Sequence, residues 1–347
     1  MSITNFRIVG CTNQDKANFQ SKRRKKKNMY TEGKTIGGYL ELQLPEGKPH
    51  YPLFIPLNTG RNAFEYLLRI KKYDLVYLPF FSCEVLMEPL QRLRIPYRFY
   101  HIDEQLNPIL DFEREANSCL MYPNYFGIKT DTVRSLAAQE ENLIIDNAQA
   151  FFQEPIAGLD TFYSCRKFFG VPDGAYLYTE SNTRLSLESD ISAYRCSHLI
   201  KSIDLSIEIG YHDYLKNNIA LGNSAIKKMS VLSRRMLRGI DYEACRRARN
   251  ENFQHLHAAF SEINELTIAL KDIDGPMVYP LLLSKKGLRA DLIAKKIFVA
   301  SYWPNVLECT TEEMFEHYLA TNLIALPIDH RYSLKEMDHL IQIISLL

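Results

Sequence analysis

From about residue 55 onward, short apolar runs alternate with longer stretches of helical periodicity. No other feature of the chain restricts its fold as much. Ile55-Pro56-Leu57-Asn58-Thr59-Gly60 leads into Arg61–Ile70, where Ala63, Phe64, Leu67 and Leu68 fall on one helical face. Leu75–Pro79, Tyr97–Tyr100, Ser118–Tyr122 and Asn142–Ile145 read as strands, with helices over Glu84–Leu93 and Thr132–Glu140 between them. Ala175–Thr179 reads as a further, returning strand. Apolar strands separated by amphipathic helices predict a mostly parallel sheet covered on both faces, an α/β architecture. Residues 185–260 are helix-rich and charged, and their cationic runs read as solvated faces. Beyond 265 a smaller unit follows: strand Met277–Leu283, helix Gly287–Lys296, strand Ile297–Ala300 and a last helix Ser333–Leu346. The expected division is a basic disordered extension (1–28), a large domain (29–250) and a small α/β domain (251–347).

Charge and cysteine content narrow the setting. The net charge is +1, yet residues 1–28 hold eight cationic side chains against Asp15, a surplus of +7, which leaves −6 on the remainder. A mildly acidic body argues against a nucleic-acid surface there. The run Lys22–Lys27 reads as a tail ahead of Met29, which is a candidate natural start. No apolar run approaches a membrane span, and no apolar segment follows the basic cluster as a secretory signal requires. Seven cysteines, with no Cys-x-x-Cys, predict reduced thiols in a cytoplasmic protein and no metal site.

Three local signals carry chemistry. Asn58-Thr59-Gly60-Arg61-Asn62-Ala63 is a strand-to-helix turn whose backbone N–H groups can cradle a phosphate, although such turns also serve packing. Asp146 ends the apolar run Leu143–Ile145, where open α/β sheets place ligands, and Gln149 follows three residues later; capping a helix is the plainer use of such an Asp. Lys167 lies in Ser164-Cys165-Arg166-Lys167, about twenty residues further on, ahead of Gly170-Val171-Pro172-Asp173-Gly174. Taken alone it is a surface charge. Behind Asp146 it matches what a pyridoxal phosphate enzyme needs: an amine for a Schiff base and a carboxylate to keep the pyridine nitrogen protonated. A lysine in that role is expected to be desolvated, because burial favours the neutral amine.

These segments, in this order, resemble the fold-type-I pyridoxal phosphate enzymes, and within them the DegT-like (StrS-like) sugar aminotransferases. The resemblance runs from about Gly37 to the C-terminus. Gly60-Arg61-Asn62-Ala63 resembles the family's Gly-Thr-x-Ala turn, and Leu78-Pro79-Phe80-Phe81-Ser82 its strand-Pro-aromatic segment. Tyr122-Pro123-Asn124-Tyr125-Phe126-Gly127 is similar to its next loop. Asp146-Asn147-Ala148-Gln149-Ala150 resembles Asp-x-Ala-Gln-Ala, the most specific match, and Leu326–Tyr332 resembles the closing Leu-Pro-x-His segment. The resemblance implies a large three-layer domain with a seven-stranded sheet, a smaller C-terminal domain, and a homodimer with shared active sites. It implies Lys167 as the Schiff-base lysine and proton carrier, Asp146 on the pyridinium nitrogen and Gln149 on the 3-oxygen. Gly60 and Arg61, with Ser164 as helper, would hold the phosphate. The implied reaction moves an amino group from glutamate to a keto-sugar, linked to a nucleotide, for surface polysaccharide or secondary-metabolite synthesis.

The sequence departs from the family at several positions. Arg61 replaces the usual Thr. Cys83 occupies the position of the aromatic that covers the cofactor ring, so that Phe81 or Phe80 would have to substitute. The segment before the lysine is shifted, to Thr161–Lys167, and the partner-contributing Asn-x-Arg-Met-Ser is reduced to Ile226-Lys227-Lys228-Met229-Ser230. Three rivals follow. A sugar dehydratase relative would carry His in place of Lys167. A degenerate member would bind without turnover. A plain α/β binding domain would hold no cofactor.

Overall fold

The computed structural model describes residues 37–347; the basic run at 22–27 and the candidate start at Met29 lie outside the described residues. The chain divides into two units, 1–43 and 44–347. Residues 37–43 have no regular secondary structure.

The second unit begins with β1 (Ile55–Leu57), α1 (Gly60–Lys71), β2 (Leu75–Pro79), α2 (Met87–Leu93), β3 (Tyr97–Ile102), β4 (Pro108–Ile109), β5 (Ser118–Pro123), α3 (Thr130–Gln139), β6 (Leu143–Asn147), β7 (Asp160–Ser164) and β8 (Ala175–Tyr178). Together the strands form one sheet in the order β1-β8-β7-β6-β5-β2-β3-β4. The expected seven strands are present, and the two-residue β4 adds an eighth at the edge. β3, β2, β5, β6 and β7 run parallel, whereas β8 returns antiparallel between β7 and β1. Every residue of β2 and β5 is buried, as expected of parallel strands covered on both faces. One apolar cluster packs α1 against Val76, Leu78, Met121, Ile144 and Phe162. The other fills the opposite face with Tyr77, Leu120, Tyr122, Ile145 and Tyr163.

The chain leaves β2 toward β3 on one side, while β5, β6 and β7 build outward on the other. The junction of β2 and β5 is therefore a topological switch point, where a crevice opens beyond the carboxyl ends of the strands. Pro79, Pro123, Asp146 and Ser164 all stand at those ends.

The helical segment consists of α4 (Ser197–Asp204), α5 (Ile207–Leu221), α6 (Val231–Arg238) and α7 (Tyr242–Phe260). After it come β9 (Val278–Leu282), α8 (Leu288–Ala294), α9 (Val306–Cys309), α10 (Phe315–Asn322), β10 (Leu323–Pro327) and α11 (Leu334–Leu346). β9 pairs antiparallel with β10 from Leu282↔Leu323 to Val278↔Pro327. Two expectations need correcting here. Ile297–Ala300 forms no strand, only a single bridge from Ala300 to Ala325. Lys296 just before it takes a left-handed φ of 61° that breaks extended geometry. The strand beside β9 comes instead from Leu323–Pro327. The cationic run of α7 is also not uniformly solvated: Arg249 is 1% exposed, and Arg246 pairs with Glu243 and Asp274.

Candidate active site

The crevice at the switch point holds a small cavity lined by Ser82, Cys83, Leu86, Pro123, Asp146, Gln149, Lys167 and Trp303. Four of the eight sequence-derived site residues, Cys83, Asp146, Gln149 and Lys167, meet there. Asp146 reaches it because β6 ends one residue later, and its Oδ1 accepts the Ala148 N–H at 2.7 Å. Burial pushes the Asp146 carboxyl above the usual carboxylate range; the neighbouring Lys167 and the Ala148 N–H pull it down. Gln149 is held by its own oxygen, since Oε1 accepts the Phe126 N–H at 2.8 Å. Its Nε2 is buried without a partner. A buried amide donor left over in this way is a group waiting for an acceptor. The contact is possible because Gly127, at φ +79°, brings the loop close; a Cβ there would lie 2.9 Å from the Gln149 carbonyl oxygen.

Lys167 closes a single 3-10 turn, Cys165–Lys167, at the end of β7. The segment is held from behind. Cys165 N–H donates to the Gly174 carbonyl at 3.1 Å, and Gly174 N–H donates to the Asn58 carbonyl at 2.7 Å. Gly174 takes φ +138°, where a side chain would also crowd Cys165 and Met229. The preceding Asp173 is fully buried. It accepts the Ser230 N–H at 2.8 Å and the Ser230 hydroxyl at 2.6 Å, together with the Ser233 hydroxyl, so the loop after Lys167 is fastened to the start of α6. Lys167 itself is exposed. The desolvation expected of it is not supplied by this chain alone, because the turn stands at the open end of the sheet.

Gly60 and Ser164 are neighbours: a Cβ at Gly60 would sit 3.9 Å from the Ser164 Cβ and 3.8 Å from the Phe162 ring. Thr59 caps α1, its hydroxyl accepting the Asn62 N–H at 3.2 Å. The first helical N–H groups, of Gly60 and Arg61, have no acceptor within the helix. The Arg61 guanidinium turns away to pair with Glu88 of α2. Asn62 donates to Asn58 Oδ1 at 2.9 Å and to the Ala225 carbonyl at 3.0 Å, and Lys228 bridges to Leu57. The Ile226–Ser230 segment therefore lies along the edge strand of its own chain.

Neither phenylalanine proposed for the ring-covering position lines the cavity. Phe80 stacks on Phe99 at 4.9 Å. Phe81 is fully buried against Tyr125 and Trp303. The reason is a tight turn in which the Ser82 hydroxyl donates to the Pro79 carbonyl at 2.8 Å, directing Phe81 inward and Cys83 toward the cavity. Burial raises the Cys83 thiol pKa, with Lys167, the Val85 N–H and Arg61 opposing. Sequence reasoning missed Trp303. It is the only tryptophan of the chain, and it is contributed by a segment more than 200 residues from Cys83 with no periodic signal to mark it.

A second cavity, of about 530 Å³, lies on the other side of Lys167, with Arg166, His198, Tyr214, His330 and Arg331 in its walls. Arg166 donates to Asn218 at 2.5 Å while its Nε is buried without a partner. Burial lowers the pKa of both His198 and His330, assisted by Arg166 and Arg249 respectively. Lys167 lines both cavities.

Eight strands in this order form the α/β fold of the fold-type-I pyridoxal phosphate enzymes. Solved structures with this fold include DesV from S. venezuelae (14% identity, TM-score 0.60, covering 84% of this chain and 83% of that one). CalS13, a sugar aminotransferase from Micromonospora echinospora, is similar at 14% identity and TM-score 0.58, covering 84% and 87%. The E coli GDP-4-keto-6-deoxy-D-mannose-3-dehydratase, solved with bound hydrated PLP, is similar at 15% identity and TM-score 0.54, covering 84% and 87%. No family model and no curated relative matches the sequence.

Proposed function

We propose that this chain is a pyridoxal phosphate-dependent aminotransferase acting on sugars. Its amino donor would be an amino acid, glutamate by the family resemblance, and its acceptor a nucleotide-linked keto-sugar. One observation carries the reading: Lys167 stands between the Asp146–Gln149 cavity and the larger basic cavity. The donor set fits the cofactor, with a carboxylate for a ring N–H and the unpartnered Gln149 Nε2 for a ring oxygen. The free N–H groups of α1 beside Ser164 suit a phosphate.

Bound pyridoxal phosphate supplies an aldehyde that condenses with amines and a ring that accepts electrons. Asp146 would hold the proton on the ring nitrogen and stabilise charge there. Gln149 Nε2 would donate to the 3-oxygen. Lys167 Nζ would anchor the cofactor through its aldehyde and, when free as the neutral amine, take up and return the proton of the donor α-carbon. In the larger cavity, Arg166 suits the phosphates of a nucleotide, whereas Arg331 is already paired with Asp329, and the second half-reaction would run there. The exposed apolar side chains of α4 and α5, Ile203 (83%) and Ile219 (77%) among them, support the homodimer, since large exposed apolar patches mark interfaces. A dimer seated there would supply the desolvation Lys167 lacks in one chain.

Two other readings remain. Dehydration of a sugar is supported by the fold shared with the dehydratase, but Lys167 opposes it, since His is expected at that position. Binding without turnover is supported by Arg61, which is engaged with Glu88, and by Cys83. The decisive experiment screens keto-sugar nucleotides with glutamate and reads 2-oxoglutarate release, alongside borohydride trapping at Lys167. Release with trapping establishes the aminotransferase; trapping without release on any substrate favours binding alone; no trapping removes the cofactor from the reading.

A further inference from the structure

The aromatic that should cover the cofactor ring is missing from its usual place, where Cys83 stands, and Phe80 and Phe81 both point elsewhere. Trp303 lines the same cavity as Cys83, Asp146, Gln149 and Lys167. The indole is held firmly. It packs on Phe81 at 4.8 Å, on Tyr302 at 5.5 Å and on Tyr125 at 6.4 Å between ring centres. The turn that carries it is tied to the Cys83 segment, for Asn305 Nδ2 donates to the Ser82 carbonyl at 3.0 Å and Val306 N–H donates to the Trp303 carbonyl at 3.0 Å. Trp303 is 9% exposed and forms part of the cavity lining.

We propose that Trp303 is the aromatic wall of the cofactor site, replacing from the C-terminal segment the ring that position 83 no longer provides. The inference rests on the cofactor reading above and goes beyond it, because it assigns ring stacking to a residue more than 200 positions from Cys83. An indole offers a large rigid π face at little cost in side-chain freedom. Cys83 leaves room for it, and the Asn305–Ser82 bond holds the two segments at fixed separation.

The test measures pyridoxal phosphate affinity by absorbance titration and borohydride trapping, on wild type, Trp303→Met and Trp303→Phe. Methionine keeps apolar volume without a π face; phenylalanine restores a ring. A stacked pair lost at roughly 1.4 kcal/mol corresponds to about tenfold weaker binding in Trp303→Met. Trp303→Phe is expected to recover affinity to within about threefold. Met and Phe variants that both bind as tightly as wild type, or tighter, overturn the proposal, the second result meaning that the indole blocks the site. If Trp303→Met does not fold, a crystal structure of the wild type with cofactor decides: the indole against the pyridine face supports the proposal, and an indole swung out of the cavity overturns it. Absence of trapping at Lys167 in the wild type fails the cofactor reading itself, which separates the two failures.

Discussion

The guanidinium of Arg249 lies 4.5 Å above the ring of Phe168, the residue that follows Lys167. Arg249 Nη1 also donates to the carbonyls of Pro276 at 3.1 Å and Met277 at 3.0 Å. One buried cation thus joins α7, the loop entering β9 and the lysine turn. Burial lowers its pKa to about 10, so it stays charged near neutrality. Arg249→Ala removes the cation, opens a void and strands two carbonyls. It is expected to cost about 2–4 kcal/mol, read as a lower urea midpoint. Arg249→Met keeps volume and is expected to cost less, since buried charges are often replaced cheaply by apolar side chains of similar size.

Asp146→Asn separates stability from function. The carboxyl has a raised pKa in the folded chain because it is buried. Its protonated form is therefore favoured by folding: the stabilisation is fully present below the ordinary carboxyl pKa and is lost as pH rises through the folded value. At neutral pH the cofactor-free wild type bears the cost of a buried carboxylate, so the Asn variant is expected to melt at the same or a higher temperature. That advantage should shrink as pH falls through the raised folded value and be gone below about pH 4. Turnover, once a substrate is found, is expected to fall by roughly 10²–10³-fold. A variant that melts lower at pH 7 and higher at pH 4 would contradict the electrostatic account.

Lys167→Ala is expected to abolish the borohydride-trapped adduct while changing stability by less than about 0.5 kcal/mol, because the side chain is exposed. Trapping that persists at another lysine would move the anchor elsewhere. Mass mapping of the reduced peptide reads both outcomes.

Arg61→Ala tests how the phosphate turn works. The Arg61 side chain is committed to Glu88, with 16% and 24% of the two side chains exposed. If phosphate is held by the backbone N–H groups of α1, the variant should lose only about 1 kcal/mol of stability. Cofactor affinity should then change by no more than a few-fold. A loss of a hundredfold or more would show that the guanidinium itself holds the phosphate.

Asp173→Ala is expected to cost about 3–5 kcal/mol, because it leaves the buried hydroxyls of Ser230 and Ser233 and the Ser230 N–H without their acceptor. The loop that carries Lys167 should loosen in step, measured as faster hydrogen exchange at Gly170 to Gly174.

The alternation of strand and helix, the position of Asp146 at a strand end and the spacing from Asp146 to Lys167 are local properties of the chain, set by side-chain periodicity and by where apolar runs stop. They were legible in the residues alone, and the observed strands β2, β3, β5, β6 and β8 fall where that periodicity places them. The strand β7, which delivers Lys167, carries too little apolar contrast in Asp160–Ser164 to be recognised that way. Ile297–Ala300 shows the opposite error: an apolar run looked like a strand, but Leu323–Pro327 took the place beside β9. The burial of Arg249 and the inward turn of Phe81 belong to contacts between elements. So does the arrival of Trp303 at the cavity, through an Asn305–Ser82 bond that spans 223 positions. Periodicity reports which face of an element is apolar, not which distant element covers it. The sequence therefore determined the sheet and the Asp146–Lys167 pair, and the tertiary structure alone decided which aromatic ring stands beside them.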